Sequence, residues 1–189
     1  MFCGKMSFRC SKTEGFTLLE LITVLLLIAI LGAIATPSFI RYYQGFCIKA
    51  VMMDIVQMVR EGKMGGLGGK DYAVYFNSEE GTVTLISDRG ADEKWNTADD
   101  VVVRTLRFST KDGGLRFGYG SCGPLPKLAE TKDGITFLNN IVVCNDRLTG
   151  NAGTVYIISL SGIAMAIKIN SVDAGYTLWT SSGGGWLRL

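Results

Sequence analysis

The chain contains no histidine. That absence removes imidazole as a general base, as the middle member of a Ser-His-Asp or Cys-His system, and as a metal ligand. Most hydrolase chemistries open to a single chain go with it. Charge is also scarce: 19 % of the 189 residues are Asp, Glu, Lys or Arg, against roughly 25 % in an ordinary soluble domain. Apolar residues make up 48 % and the mean hydropathy is +0.27, which excludes a disordered chain and points toward membrane contact. There is no CxxC among the five cysteines, so a redox or zinc role has little footing. No internal repeat or low-complexity tract is present, and the length suits one domain of ordinary size with an appendage.

The formal charge of +2 and pI near 8.3 hint at nucleic acid or anionic lipid only until the charges are located. Lys5, Arg9 and Lys12 stand against Glu14 in the first fifteen residues. Taking those three from 19 basic residues, and that one from 17 acidic residues, leaves 16 of each from Phe16 onward. The excess therefore belongs to the extreme N-terminus. Behind it, Leu21 to Ile40 carries no formal charge and is mostly Leu, Ile, Val and Ala. At 1.5 Å per residue such a helix is about 30 Å long, enough to cross a bilayer. The positive-inside rule then puts the N-terminus in the cytoplasm and the chain after Arg41 outside.

A basic start, an apolar stretch and the small-residue pattern Ala33-Ile34-Ala35 also describe a secretory signal peptide cleaved after Ala35. The intervening residues decide against it. Gly15-Phe16-Thr17-Leu18-Leu19-Glu20, followed directly by the apolar run, resembles the N-terminal signal of the type IV pilin and pseudopilin superfamily. The resemblance implies cleavage by a prepilin peptidase after Gly15, methylation of the new amine at Phe16, and an assembly role for Glu20 as fifth residue of the mature chain. It also implies a proline kink, which matches Pro37. Residues 1–15 would be a leader, 16–64 a long helix with its membrane span at about 18–40, and 65–189 a globular β domain. The chain would be the peptidase's substrate and not an enzyme.

The assembly role has a physical basis. A carboxylate near the start of a spanning helix costs roughly 2 to 3 kcal/mol in hydrocarbon unless it meets a cation. Cleavage after Gly15 would create that cation at Phe16, on the same or a neighbouring helix. Alternatively, Glu20 sits solvated among headgroups, favoured by the helix dipole.

Ile48, Met52, Ile55 and Val59 recur at spacings of three to four, so the helix is expected to continue, amphipathic, from Tyr42 to Met64. Counted from Phe16, that is about 70 Å of helix. Pro37 removes one backbone donor within it. The cluster Gly62, Gly65, Gly66, Gly68, Gly69 and Lys70 has a superficial likeness to a phosphate-binding loop. Met64 and Asp71 replace the required residues, so the expectation is a helix stop and turn.

Runs of β-branched and aromatic residues then alternate with turn residues. Strands are expected at 72–76, 82–87, 101–108, 115–119, 135–137, 141–145, 154–160, 163–169 and 176–179. Turns are expected at Glu80-Gly81, Asp112-Gly113-Gly114, Asp133-Gly134 and Thr149-Gly150-Asn151. The fold class is α+β: a long N-terminal helix followed by an antiparallel β-sandwich. This plan, the stretch from Gly153 to Gly162 and the acidic loop resemble the H-type minor pseudopilins of type II secretion and related minor pilins. That implies a minor filament subunit whose partners are other pilins or pseudopilins and an inner-membrane assembly platform. It would sit as a single-pass inner-membrane protein with its β domain periplasmic, before entering a filament.

Three further expectations concern sites. Asp88, Asp92, Asn96, Asp99 and Asp100, with Glu93, gather hard oxygen groups around Gly90, and calcium is one reading and a solvated hairpin loop the other. No other cofactor is expected. Cys3 and Cys10 belong to the leader; Cys122 and Cys144 could form a bridge closing about twenty residues, worth roughly 3 kcal/mol, with Cys47 as the odd thiol or an alternative partner. Some minor pilins take up DNA, or serve adhesion at a pilus tip, and the DNA-binding ones use a Gly-Arg-x-Arg segment. The matching place here is Gly162-Ile163-Ala164-Met165, and Lys168 and Arg188 are isolated, so nucleic acid is disfavoured.

Overall fold

The computed structural model describes residues 15–108, 114–126, 128, 131, 133–144, 152–170, 175–181 and 185–189. Residues 1–14 of the expected leader, with Lys5, Arg9, Lys12 and its two cysteines, lie outside the described residues. So do Asp112-Gly113 and Thr149-Gly150-Asn151. The chain divides into two compact units, one ending at Phe39 and the other spanning Ile40–Leu189. Helix α1, Leu18–Leu67, contributes to both.

In the first unit the helix is apolar on every side, and all described residues from Gly15 to Ile40 are exposed. A helix apolar all round is built for a non-aqueous surrounding. Helical hydrogen bonding continues through Pro37, although proline leaves the carbonyl of Ala33 without its donor. The neighbouring carbonyl, of Gly32, accepts from the Thr36 hydroxyl at 2.6 Å.

In the second unit the helix turns amphipathic, as its spacing predicts: Ile48, Met52 and Ile55 are fully buried and Val59 nearly so. It is joined by nine strands: β1 Tyr72–Asn77, β2 Thr82–Asp88, β3 Val101–Arg107, β4 Arg116–Phe117, β5 Ile141–Cys144, β6 Gly153–Ile158, β7 Ala164–Ile169, β8 Tyr176–Ser181 and β9 Trp186–Arg188. They make a four-stranded sheet, β3-β2-β1-β5, and a five-stranded sheet, β4-β6-β7-β8-β9. Every pairing is antiparallel. The α+β class with an antiparallel β domain is therefore observed.

One core joins the helix to both sheets. Val74 and Phe76 of β1, Val83 and Leu85 of β2, Val155 and Ile157 of β6, and Met165, Ile167 and Ile169 of β7 all pack with the helical stripe. Strand β6 is apolar on both faces because the second sheet is covered twice. Its odd residues face the main core, whereas Tyr156 joins Ala166, Leu125, Trp179 and Trp186 in a smaller cluster. Burial raises the Tyr156 phenol above its ordinary pKa, and its oxygen accepts from the Leu125 N–H at 3.0 Å, so the buried polar tip is satisfied.

Three polar contacts fasten the helix at different levels. The Ser161 N–H donates to Gln44 Oε1 at 3.1 Å, and Arg104 pairs with Asp54 at 3.0 Å. Arg60 donates to the Tyr176 hydroxyl and lies over that ring, 5.0 Å from its centroid.

The structure corrects several expectations. Helix α1 runs to Leu67, so Gly62, Gly65 and Gly66 are inside it and only Gly68 and Gly69, the latter at φ 82, make the stop. Gly65 serves packing: a Cβ there would lie 2.1 Å from the Tyr72 ring, whereas one on Gly62 would just touch Cys144 Sγ at 3.4 Å. The expected strand 135–137 is instead a single bridge, Ile135 to Val155. Its alternation reflects Ile135 and Phe137 dipping into the core, with Phe137 stacked on Phe76 at 5.8 Å. The expected strand 115–119 shrinks to Arg116–Phe117, because Gly118 at φ 129 turns away and packs its backbone against Gly134. Strand β9 was not expected.

Candidate functional site

The candidate site is the first turn of α1 and the three residues before it. Gly15, Phe16 and Thr17 are non-helical and exposed. Among the described residues nothing lies within 4 Å of where a Cβ on Gly15 would be, and Phe16 is 79 % exposed. The Gly15–Phe16 peptide bond is thus presented as open chain, which a protease cleft requires. Helix formation begins immediately after it. The Glu20 N–H donates to Thr17 Oγ1 at 3.2 Å, and the Leu21 N–H donates to the Thr17 carbonyl at 3.2 Å. Thr17 is therefore the N-cap, a role that sequence reasoning missed although Thr17-x-x-Glu20 is the pattern of a capping box. With Thr17 as cap, Glu20 is fixed three residues into the helix, at the positive end of its dipole. Its carboxylate is then one turn from the amine that cleavage would create.

The acidic loop between β2 and β3 is hydrogen-bonded largely to itself. Asp88 Oδ1 accepts from the Gly90 N–H at 3.2 Å. Asp92 Oδ1 accepts from the Lys94 N–H at 2.9 Å. Asp99 Oδ2 accepts from the Ala91 and Asp92 N–H groups, while Oδ1 takes the Thr97 hydroxyl at 2.8 Å. Asp100 Oδ2 accepts from the N–H groups of Asn96 and Thr97 at 2.6 and 3.1 Å. The Thr97 hydroxyl, and then the Ala91 N–H, hold the Asp99 carboxyl below its ordinary value. Oδ1 of Asp92, Asp99 and Asp100 all lie around the Thr97 hydroxyl, at 3.4, 2.8 and 3.2 Å, so a protein hydroxyl occupies the point where these carboxylates meet. Among the described residues no group of three or more His, Cys, Asp or Glu side chains is arranged to hold a metal ion, and most of these oxygens cap the loop's own amides.

The structure does not join the expected Cys122–Cys144 pair: Cys47, Cys122 and Cys144 are all free thiols in it. Cys144 ends β5 and is buried in the main core beside Gly62. Cys122 sits in a 3-10 turn, Gly120–Cys122, where its sulfur accepts from the Ser181 hydroxyl at 3.2 Å. Burial pushes the Cys144 thiol up to about 11, against the opposing field of Lys63. At about pH 8, where an ordinary thiol near 8.5 is partly ionised, N-ethylmaleimide is expected to label Cys47 and Cys122 of the folded mature chain before Cys144. Mass mapping of the peptides checks the order, and a Cys122–Cys144 cross-link in the non-reduced digest would contradict it.

The segment corresponding to the DNA-binding position is a packing element. Gly162 turns at φ 82, Ile163 packs on the core, and Ala164 and Met165 are buried on β7. Lys168 lies on β7 and Arg188 on the short β9, and among the described residues no other Lys or Arg lies between them in sequence.

Comparison with known families adds one finding. Residues 10–36 match the model of the prokaryotic N-terminal methylation motif. The match covers Gly15, Phe16, Thr17 and Glu20 and most of the apolar run, and it supports a type IV pilin-like N-terminus. No solved structure matches the chain.

Proposed function

We propose that this protein is a minor structural subunit, a pseudopilin of a type II secretion pseudopilus or a minor pilin of a type IV pilus. In this reading a prepilin peptidase cuts between Gly15 and Phe16 and methylates the Phe16 amine. Helix α1 anchors the chain in the inner membrane, with the N-terminus cytoplasmic and the β domain periplasmic, until the helix packs among others in a filament. The observation that carries it is the capped helix start inside the methylation motif: an exposed Gly15–Phe16 bond, Glu20 in the first turn, and more than five turns of helix exposing apolar side chains on every side. Leaving that surface in water is unfavourable in proportion to its area, so lipid or neighbouring helices must cover it. A structural role, without catalysis, fits the absence of histidine.

The test is the mature N-terminus. Protein purified from membranes of its own host should begin at N-methylated Phe16 in tandem mass spectrometry. A chain that starts after Ala35 would instead make α1 a secretory signal and sink the reading. Cross-linking in the same membranes separates the two machines by whether secretion or pilus subunits are captured.

A further inference from the structure

We propose that the outer face of the four-stranded sheet carries a binding site for a neutral hexose ring, as found in a glycan. The site is a pocket of about 430 Å³ lined by Tyr75, Lys94, Trp95, Asn96, Asn139 and Ile141. Tyr75 and Ile141 are direct cross-strand partners on β1 and β5. They alternate with core residues Val74, Phe76 and Val142, so both project from the opposite face of the sheet. Lys94, Trp95 and Asn96 come from the acidic loop, and Asn139 from the turn that precedes β5.

Two observations set this pocket apart from the molecule's other hollows. The first is its chemistry. An indole and a phenol supply rigid faces for the C–H side of a sugar ring. Each carboxamide offers both a donor and an acceptor, the combination that adjacent hydroxyls need, and Lys94 adds further donors. The second is backbone strain. Among the described residues, the non-glycine positions with positive φ are Glu93 (56), Asn96 (64), Asn139 (53) and Asn140 (57). All four fall in the two segments that meet at this pocket, and such conformations persist where surrounding structure holds a side chain in a required place. Trp95 is held on one face: Arg89 lies over its ring, 5.7 Å from the centroid, and is itself tied to Asp71 at 2.7 Å.

Charge selects the ligand class. The loop that delivers Trp95 carries five acids, Asp88, Asp92, Glu93, Asp99 and Asp100, against two cations, Arg89 and Lys94, a net negative field that disfavours phosphates. Stacked nucleic-acid bases would suit the aromatic rings but not that field, whereas an uncharged polyhydroxyl ring is indifferent to it. The site stands apart from the filament reading, since none of its residues lies on α1.

The experiment is saturation-transfer difference NMR on the full mature chain in lipid nanodiscs, free of glycoside detergents. The probes are N-acetylglucosamine, galactose and mannose, each tested alone. Transfer to the ring protons of at least one sugar is expected. Asn139→Ala and Trp95→Ala should each weaken it about tenfold, as loss of one central contact does, while Trp95→Phe retains most of it. Unchanged far-UV spectra of Asn139→Ala and Trp95→Phe keep the result readable if Trp95→Ala misfolds. No transfer from any of these sugars, or transfer that survives both alanine changes, overturns the proposal. Salt-sensitive binding of an oligothymidylate in place of the sugars would assign the pocket to stacked bases instead.

Discussion

Glu20→Val is expected to leave the chain fully inserted in the membrane and to lower its incorporation into filaments by about a hundredfold. The two effects have opposite signs because the carboxylate plays opposite parts in them. In lipid it is a liability of roughly 2 to 3 kcal/mol near the start of the helix, so valine if anything eases insertion. In a packed filament it would be the partner of a Phe16 ammonium, and removing one member of a buried pair leaves the other uncompensated at about 3 to 5 kcal/mol. About 3 kcal/mol corresponds to roughly a hundredfold in an association constant. Thr17 keeps the geometry intact in the variant, since its hydroxyl caps the backbone N–H of residue 20 and not the side chain. Membrane fractionation and quantification of sheared filaments read the two effects separately. Glu20→Gln should fail as valine does, because it keeps polarity and loses charge. Co-assembly of either variant at the wild-type level would remove the ion-pair mechanism.

How far the sequence was legible depended on whether each residue's role was local. The stripe Ile48, Met52, Ile55, Val59 could be read from spacing alone, and all four are buried. The Thr17 cap was equally local, a four-residue pattern overlooked beside the stronger signal around it. Gly62 and Gly65 were misread because glycine punctuates helices when judged by neighbours in sequence. Both continue the helix, and the need for glycine at 65 is set by Tyr72, which reaches it only through the fold. The same limit applies to Cys122 and Cys144, whose spacing permits a bridge but whose surroundings, a solvent-side turn and the main core, do not bring one about. In the acidic loop the oxygen-rich composition was evident. Which oxygens the loop's own amides would take was not, because each choice depends on the turn geometry at Glu93 and Asn96. Strand β9 follows three consecutive glycines and is three residues long, too short to show a period.

The glycine at 65 offers the sharpest stability test, because two effects of known sign compete there. Alanine in a helix interior is favoured over glycine by about 1 kcal/mol, so on propensity alone Gly65→Ala should stabilise. The added Cβ, however, would fall 2.1 to 2.6 Å from three atoms of the Tyr72 ring. Tyr72 is half-buried against the main core, at the end of the β1–β5 pairing opposite Cys144, so the ring can yield only by giving up that packing. Overpacking of this kind costs about 1 to 3 kcal/mol, and with Cβ contacts this short the upper half of that range applies, so the clash is expected to win by up to about 2 kcal/mol. In a unit of 150 residues that lowers the melting temperature by up to about 8 °C. The decisive comparison is the double variant. In a Tyr72→Ala background the obstruction is gone, and Gly65→Ala should then raise the melting temperature by the propensity difference, reversing its sign. Thermal melts of the four proteins followed by circular dichroism give the coupling directly. If Gly65→Ala stabilises both backgrounds equally, Gly65 is not there to admit Tyr72, and the close approach of helix and strand at this point has another cause.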